Sequence, residues 1–291
     1  MVDVSNWNFL PITASTAFSG SKKNLALNLK IEETVSGGSV ANSIVGLSQL
    51  GNKVGFIGKI NNDKFGNKYE EGLKKEKVKF FYSKKNESTP TGTCLILITP
   101  DSERTMCTYL GVAGQIKDTD IDVEAVKSSY ITFFEGYLFD EGHQKKAFEK
   151  AIKNSKKTVM TLSDKFCVDR HKKNFLNLVT NSLDIVFANE QEILSLINAK
   201  NFDEVISFGK SLKKLIVITR GAKGSIAISN DTVTENNIQK NLNIVDLTGA
   251  GDLFAAGFLH GHINNLSIKE CLEKGTEMSS KVIQKIGARL S

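Results

Sequence analysis

The sequence has 291 residues, of which 40% are hydrophobic and 24% are charged, and this balance excludes disordered, collagen-like and disulfide-stapled proteins. The formal net charge is +6, but the lysines alternate with acidic residues, so a solvated surface explains the charge better than a nucleic-acid interface. The four cysteines are far apart and have neither disulfide nor zinc-ligand spacing.

The sequence lacks three features that would indicate several domains, a membrane protein or a secreted protein. The sequence contains only three prolines and no linker rich in glycine and serine, which predicts a single domain over residues 1–291. It has no apolar run of membrane-spanning length and no secretory leader. We therefore expect a cytoplasmic protein with neither membrane nor nucleic-acid partners.

The first third of the chain predicts a glycine turn, a helix and a hairpin. Gly37 and Gly38 precede apolar residues on a helical period, and residues 54–60 read as a strand. Runs 94–99 and 105–110 flank a turn at 100–103 and predict an antiparallel hairpin. We expect a small β-sheet lid formed by residues of about 8–36 and 89–112.

The remainder alternates short β-branched runs with amphipathic segments, which is the pattern of a parallel sheet covered by helices. The predicted strands are 130–134, 158–162, 184–188, 215–219 and 243–246. The predicted helices are 141–154, 170–179, 190–197, 202–212, 251–262 and 268–286. The fold class is therefore α/β with a mainly parallel central sheet.

The most informative segment runs from Leu242 to Phe258 and reads as strand, glycine turn and helix. Without side chains at Gly249 and Gly251, backbone amides approach an anion closely, and the positive end of the following helix points to the same place. The turn Thr248-Gly249-Ala250-Gly251-Asp252 therefore predicts a phosphate site.

Asp252 falls in the first turn of that helix, where a carboxylate stays ionised. There it can accept the proton of a hydroxyl that attacks a phosphate. The alternative is that Asp252 only caps the helix and that the glycines only make a tight turn. No Walker A motif, protein-kinase signature or dinucleotide GxGxxG motif is present.

Residues Asp246 to Asp252 resemble the C-terminal signature of the ribokinase-like, or PfkB, family of carbohydrate and nucleoside kinases, with Leu247 where the family generally has threonine. The resemblance implies a three-layer α/β fold with a small β-sheet lid, and ATP with Mg²⁺ as cofactors. It also implies catalytic roles for Gly249, Ala250, Gly251 and Asp252.

A second stretch, from Ser36 to Asn42, resembles the N-terminal signature of the same family. The resemblance implies that Gly37, Gly38 and Asn42 bind substrate. It also implies a substrate-binding aspartate at the end of a first strand. Asp3 is the candidate, but the strand expected before it is not in this sequence, which fits an incorrect start site, a truncated product or a divergent lid. If that strand is missing from the protein, a position in the central sheet is empty.

The nucleotide side of the resemblance lies at two predicted strand ends. Asn189 and Glu192 resemble an Asn-x-x-Glu motif that acts near magnesium and the phosphates, although a helix cap has the same pattern. Residues 217–225 resemble a nucleotide segment. The implied ATP-binding residues are Asn189, Thr219, Gly221, Gly224 and Thr248, and Glu192 is implied to contact Mg²⁺ indirectly.

Residues 90–94, 99–106 and Asn189-Glu190 look most like the bacterial adenosine-kinase-like branch of the family, which implies phosphorylation of adenosine to AMP. Phe133, Phe134 and Tyr137, with Phe18, are candidates for stacking on a purine, and core packing is the alternative. Two other functions stay open: a sugar kinase for ribose, fructose or 2-keto-3-deoxygluconate, and a catalytically dead binding relative. The expected partner is a small nucleoside or sugar, and we expect a monomer or homodimer.

Overall fold

The computed structural model describes residues 3–4, 35–82, 84–98, 104–139 and 143–290. These residues form eleven strands and nine α-helices. The strands are β1 Asp3–Val4, β2 Gly55–Phe56, β3 Lys79–Phe80, β4 Thr93–Ile98, β5 Arg104–Tyr109, β6 Thr132–Glu135, β7 Thr158–Thr161, β8 Ile185–Asn189, β9 Leu215–Thr219, β10 Ser225–Ser229 and β11 Thr232–Asn236. The helices are α1 Ser39–Gln49, α2 Lys64–Lys75, α3 Val123–Ser128, α4 His143–Asn154, α5 Lys165–Asn181, α6 Glu190–Ile197, α7 Phe202–Ser211, α8 Ala250–Ile263 and α9 Ile268–Val282.

The central sheet has six strands in the order β11-β10-β9-β8-β7-β6. Strands β6 to β9 are parallel, and β10 and β11 are added antiparallel. Helices connect the parallel strands because a parallel pair needs a crossover connection. In the part of the chain that the structure describes, β6 is an edge strand, with β7 on one side only.

Side chains alternate between the two faces of this sheet and build a core on each. In β8, Val186 faces the cluster that contains Phe175 and Ile193 of α5 and α6. Its neighbour Ile185 faces the cluster that contains Phe254 and other residues of α8 and α9. Because both faces of a parallel sheet are covered by helices, its strands are apolar throughout. The result is the expected three-layer α/β fold.

Helix α8 lies deep in the second of these layers. Its residues from Leu253 to Leu259 are buried, since it packs between the sheet, α1 and α9. A helix that is apolar around its whole circumference belongs to the interior. Its first turn is consequently fixed from several sides, which matters for the residues that it carries.

The hairpin predicted in the first third is confirmed. Strands β4 and β5 pair antiparallel, with Leu95 opposite Cys107, and form a three-stranded sheet with β1 that is separate from the central sheet. The first part of the expected lid was residues 8–36, and positions 8–34 lie outside the described residues. The hairpin part of the expected lid, within 89–112, is present.

One predicted strand, 243–246, is wrong. The backbone amides of Val245 and Asp246 donate to the carbonyl of Ile283, beyond the end of α9, and pair with no strand. Ile244 is 60% exposed, whereas a central strand would bury it. The apolar run therefore forms an irregular connection that ends at the glycine turn.

Several other boundaries differ. The strand predicted over 54–60 is limited to β2, which pairs in parallel with β3, and residues 57–60 are irregular. The strand predicted from Tyr130 begins at Thr132, where it comes into register with Thr158 of β7, and Tyr130 itself is 60% exposed. The last helix ends at Val282, four residues early, and the helix predicted from Arg170 begins at Lys165.

Candidate active site

The turn before α8 has the conformation that an anion site needs. Gly249 is the N-cap of α8 and has φ 78°, and a Cβ at this position would lie 2.7 Å from Cα of Ala288. A side chain is therefore excluded here by both strain and crowding. At Gly251, by contrast, a Cβ would meet nothing within 4 Å, so the space above the helix end is open.

The amides of the first helical turn are aimed at this open space. The N–H of Ala250 is used in the turn itself, where it donates to the carbonyl of Leu247 at 3.2 Å. The next amides, of Gly251 and Asp252, belong to the first turn of a helix and have no intrahelical acceptor. They are accordingly the donors best placed for an anion.

Asp252 does not cap its helix. Its Oδ1 accepts a hydrogen bond from Oγ of Ser39 at 2.7 Å, and its Oδ2 accepts one from Nδ2 of Asn42 at 2.9 Å. Both donors come from the first turn of α1, which packs against α8. The carboxylate is thus held at the junction of two helices, and the cap interpretation is wrong.

The environment of Asp252 raises the pKa of its carboxyl group above the ordinary value for aspartate. Burial raises the pKa of its carboxyl to about 6, while the hydrogen bonds from Asn42 and Ser39 and the positive charge of Arg289 act in the opposite direction. A pKa near 6 leaves the group mostly ionised at neutral pH yet basic enough to take a proton. This is the protonation behaviour of a general base.

A second carboxylate, Glu135, faces the same place from the end of β6. Its Oε2 accepts the backbone N–H of Val40 at 3.0 Å, at the start of α1. Burial and the negative charge of Asp252 raise its pKa. The sequence analysis missed Glu135, although a charged residue directly after an apolar strand is a usable signal, because parallel strand ends form ligand sites.

A cavity of about 1870 Å³ extends from these groups along the edge of the sheet. It is larger than a pocket for one small ligand and has room for two. Among the predicted site residues, it is lined by Gly37, Gly38, Asn42, Asn189, Glu192, Thr219, Thr248, Gly249, Ala250, Gly251 and Asp252. The fold therefore brings together two signatures that are about 200 residues apart in the sequence.

Two predicted site residues, Gly221 and Gly224, do not line this cavity, and the position of the Asp3 side chain relative to it lies outside the description. Asp3 lies in β1 of the small sheet, where it pairs with Ile98. Gly221 and Gly224 lie in the connection between β9 and β10. The absence of a side chain at Gly224 has a local cause, since a Cβ there would lie 2.1 Å from the carbonyl oxygen of Asn236.

Asn42, predicted to bind substrate, is only 3% exposed, and its side chain has protein partners on both sides. Its Nδ2 donates to Asp252, and its Oδ1 accepts from Nε of Arg289 at 3.0 Å. The sequence analysis missed Arg289 and Ser39. Ser39 directly follows the glycine pair, which is a signal, whereas no local pattern points to Arg289.

The aromatic residues proposed for purine stacking are mostly part of the core. The ring centroids of Phe134 and Phe148 are 4.6 Å apart, and those of Phe133 and Phe187 are 5.9 Å apart. Phe18 lies outside the described residues. Core packing, the alternative named from the sequence, accounts for these ring contacts. Phe133, Phe134 and Tyr137 also line the cavity, so stacking on a purine stays a prediction.

The predicted nucleotide side of the cavity lies at the ends of β8 and β9, where Asn189 and Thr219 are neighbours in register. Asn189 caps α6, and Glu192 completes a capping box with it. Glu192 is 4% exposed, and burial raises its pKa to about 7, with a further contribution from the charge of Asp164.

The acidic side chain of Glu192 suits a magnesium ion that is bound through water molecules and not directly. Both carboxylate oxygens of Glu192 already accept hydrogen bonds from Asn189, at 2.6 and 2.9 Å. In the described parts of the chain no cluster of three or more His, Cys, Asp or Glu could hold a metal by itself. Mg²⁺ keeps several waters and binds mainly through substrate phosphates, so acidic groups in a second layer fit it.

Comparisons with known proteins agree with this geometry. The family model described as pfkB family carbohydrate kinase matches residues 14–291. A 5-dehydro-2-deoxygluconokinase of Clostridium botulinum (strain Eklund 17B / Type B) is 28% identical over 272 residues, covering 85% of this chain and 78% of that protein.

Two solved structures are similar over most of the chain. The adenosine kinase from Sinorhizobium meliloti has 35% identity and a TM-score of 0.85, covering 88% of this chain and 80% of its own. The probable sugar kinase from Rhizobium etli CFN 42 has 31% identity and a TM-score of 0.88, with 99% and 92% covered.

Within the described ranges, no helix is both long and apolar enough to cross a bilayer.

The family match extends from residue 14 to the end of the chain and includes both glycine turns and the aspartate between the two helices. This chain accordingly belongs to the pfkB family of carbohydrate kinases and is an ATP-dependent phosphotransferase that acts on a sugar or nucleoside.

Proposed function

We propose that this chain transfers the γ-phosphoryl group of ATP to the primary ribose hydroxyl of adenosine and forms AMP. The observation that carries the transfer chemistry is the position of Asp252, held by Ser39 and Asn42 beside the open first turn of α8. The choice of adenosine is supported by 35% identity to an adenosine kinase over 88% of this chain.

In this mechanism the substrate lies beside Gly38 and Glu135, and its hydroxyl faces Asp252. The hydroxyl oxygen forms a bond to the γ-phosphorus as the bond from that phosphorus to the bridging oxygen of ADP breaks, and Asp252 takes the hydroxyl proton. The amides of Gly251 and Asp252 stabilise the negative charge on the transferred group. Deep burial of α8 fixes these donors before the reaction.

ATP lies towards Asn189, Thr219 and Thr248 in this proposal. Magnesium bound to its phosphates would neutralise charge during the transfer, and Glu192 and Asp164 would orient the waters of that ion. Arg220 and Lys223, which pair with Glu190 at 3.5 and 3.2 Å, add positive charge close to the same strand ends. Gly221 and Gly224 shape the connection that carries them.

A sugar kinase is the second candidate, because the Clostridium botulinum relative that phosphorylates 5-dehydro-2-deoxygluconate, as its name states, is 28% identical. A coupled ADP-release assay separates the two. The panel is adenosine, ribose, fructose, 2-keto-3-deoxygluconate and 5-dehydro-2-deoxygluconate, with ATP and Mg²⁺. We expect sustained turnover with adenosine, whereas turnover with one of the sugar acids alone would contradict the proposal.

The catalytic role of Asp252 is tested by Asp252→Asn. We expect turnover to fall by about 10³-fold, because the amide cannot accept the proton, while ATP affinity changes little. Asp231→Asn, at an exposed turn between β10 and β11, is the matched control and should be fully active. ATP binding without turnover in the wild type, for every substrate, would identify a catalytically dead relative instead.

A further inference from the structure

Arg289 lies behind the candidate active site and does not line its cavity. It follows α9 near the end of the described chain, and its Nε donates to Oδ1 of Asn42 at 3.0 Å. A terminal nitrogen of the same guanidinium donates to the carbonyl oxygen of Gly37 at 3.3 Å. The side chain of Arg289 thus contacts one residue before the start of α1 and one residue in its first turn.

These contacts determine which way the amide of Asn42 points. An asparagine amide has a donor end and an acceptor end, and a guanidinium can only donate. Because Arg289 occupies the oxygen end of Asn42, the nitrogen end must face Asp252, as the 2.9 Å bond requires. A flipped amide would bring its oxygen against the carboxylate, which is repulsive. The bond to Gly37 holds the guanidinium plane in this orientation.

We propose that Arg289 is a positioning residue for phosphoryl transfer: it fixes the amide of Asn42 so that Asn42 orients Asp252 towards the attacking hydroxyl. This inference rests on the proposed function, and it assigns a role to a residue that touches neither substrate nor nucleotide.

The charges around this chain of contacts come from four elements. Asp252 is faced by Glu135 of β6 and by Tyr137 just after it, while Arg289 approaches from the C-terminal segment. Arg289 is itself faced by Tyr69 of α2 and by Glu76 at the end of that helix. Arg289 is the cation among these groups, so its removal leaves Asp252 harder to ionise.

The experiment compares Arg289→Gln and Arg289→Lys, each alone and combined with Asn42→Ala, in the full chain. For each variant, kcat, the KM for ATP and the pH dependence of kcat/KM are measured, and thermal melting checks folding. Lys281→Gln is the matched control, since it removes one positive charge from an exposed position on α9 that pairs with Glu277.

For Arg289→Gln we expect kcat to fall about tenfold with little change in the KM for ATP, a typical effect for residues that orient a directly acting group. The acidic limb of the kcat/KM profile should move to higher pH by as much as about one pH unit. Arg289→Lys should restore the position of that limb, because charge is kept, but only part of kcat, because the forked contact is lost. In the Asn42→Ala background, Arg289→Gln should cost much less than it does alone.

Two results would overturn the inference while the wild type is active. One is an Arg289→Gln enzyme that melts at a lower temperature but keeps the wild-type kcat and pH profile, which is the behaviour of a purely structural contact. The other is that Arg289→Gln lowers kcat in the Asn42→Ala background by as much as it does alone. A wild type without turnover on any substrate would instead remove the proposed function, and with it the reaction that Arg289 is inferred to support.

Discussion

In the proposed mechanism the chemistry depends on Asp252, and the environment of this residue should then set the pH range of activity. Burial raises its pKa to about 6, against the effect of two hydrogen bonds and a nearby guanidinium. A general base works only when ionised, so kcat/KM should fall about tenfold per pH unit below pH 6 and level off above about pH 7. The measurement is kcat/KM for the preferred substrate between pH 5 and 9. An acidic limb centred near pH 4, the ordinary range of an exposed aspartate, would contradict this assignment.

Glu192 makes a separate prediction about stability. Its pKa of about 7 lies above the ordinary value of 4.5, so the folded state holds the proton more tightly than the unfolded state. Stability from this group is therefore present at low pH and is lost as pH rises from about 4.5 through 7. The loss is on the order of 3 kcal/mol at alkaline pH. Glu192→Gln, which stays neutral, should raise the melting temperature relative to wild type more at pH 8 than at pH 5.

Glu190, two residues earlier on the same helix, is the matched control for that measurement. Its pKa is lowered despite burial, because it pairs with Lys223 and Arg220. Glu190 is ionised at both pH 5 and pH 8, so the effect of Glu190→Gln should be the same at the two values. An equal effect of Glu192→Gln at both pH values would show that Glu192 is not a buried, weakly acidic group.

Among the residues of the site, those in glycine-rich turns were predictable and those that hold Asp252 were not. The sequence pattern identified Gly249, Gly251 and Asp252, because a turn that precedes a helix has a local signature. It missed Arg289, because nothing near Asn42 in the sequence reveals the contact of Asn42 with a side chain 247 residues away. The contact of Asn42 with substrate stays a prediction. That part of the site depends on which helices pack together.

At the scale of elements, the turn before α8 contains one glycine with a structural role and one for which we propose a functional role. A Cβ at Gly249 would clash with Ala288 and would strain a backbone at φ 78°, whereas a Cβ at Gly251 would enter open space. Gly249→Ala should therefore lower stability by about 1–3 kcal/mol, and activity with it. Gly251→Ala should leave the melting temperature unchanged and reduce kcat/KM, because the methyl group occupies the place proposed for phosphate.

The measurements are a thermal melt and steady-state kinetics for both variants. If Gly251→Ala is fully active, phosphate does not approach the first turn of α8 as closely as proposed. If Gly249→Ala melts like the wild type, the turn has more freedom than its contacts with Ala288 indicate.

Elements that are buried on both sides were the easiest to predict. β9 was predicted with the right bounds, Leu215–Thr219, because its short run of apolar and β-branched residues is typical of a strand that is buried on both faces. The run from Asn243 to Asp246 also contains adjacent β-branched residues, yet the amides of Val245 and Asp246 donate to the carbonyl of Ile283. Composition predicts that a segment can be a strand, but only an available partner strand makes it one.

At the scale of the whole molecule, both helical layers pack on the same strands. Val186 and Ile185, adjacent in β8, belong to the cores on opposite faces of the sheet. Neither core can melt without exposing the other, so we predict that the described fold unfolds as one cooperative unit. Calorimetry should give a single transition with a van't Hoff enthalpy close to the calorimetric one. Two resolved transitions would indicate separate domains, contrary to the single domain expected over residues 1–291.

The sequence by itself determined the α/β class, the family resemblance and the glycine turn that carries Asp252, because each depends on residues close together in the chain. Only the tertiary structure decided what surrounds Asp252. Ser39 and Asn42 lie 213 and 210 positions before it, and Glu135 enters from the end of a strand. The physical reason is that packing of α1 and the C-terminal segment against α8 creates these contacts, and no local pattern records which helices will be neighbours. The aspartate was predictable from its turn, whereas its hydrogen bonds and its raised pKa follow from the fold.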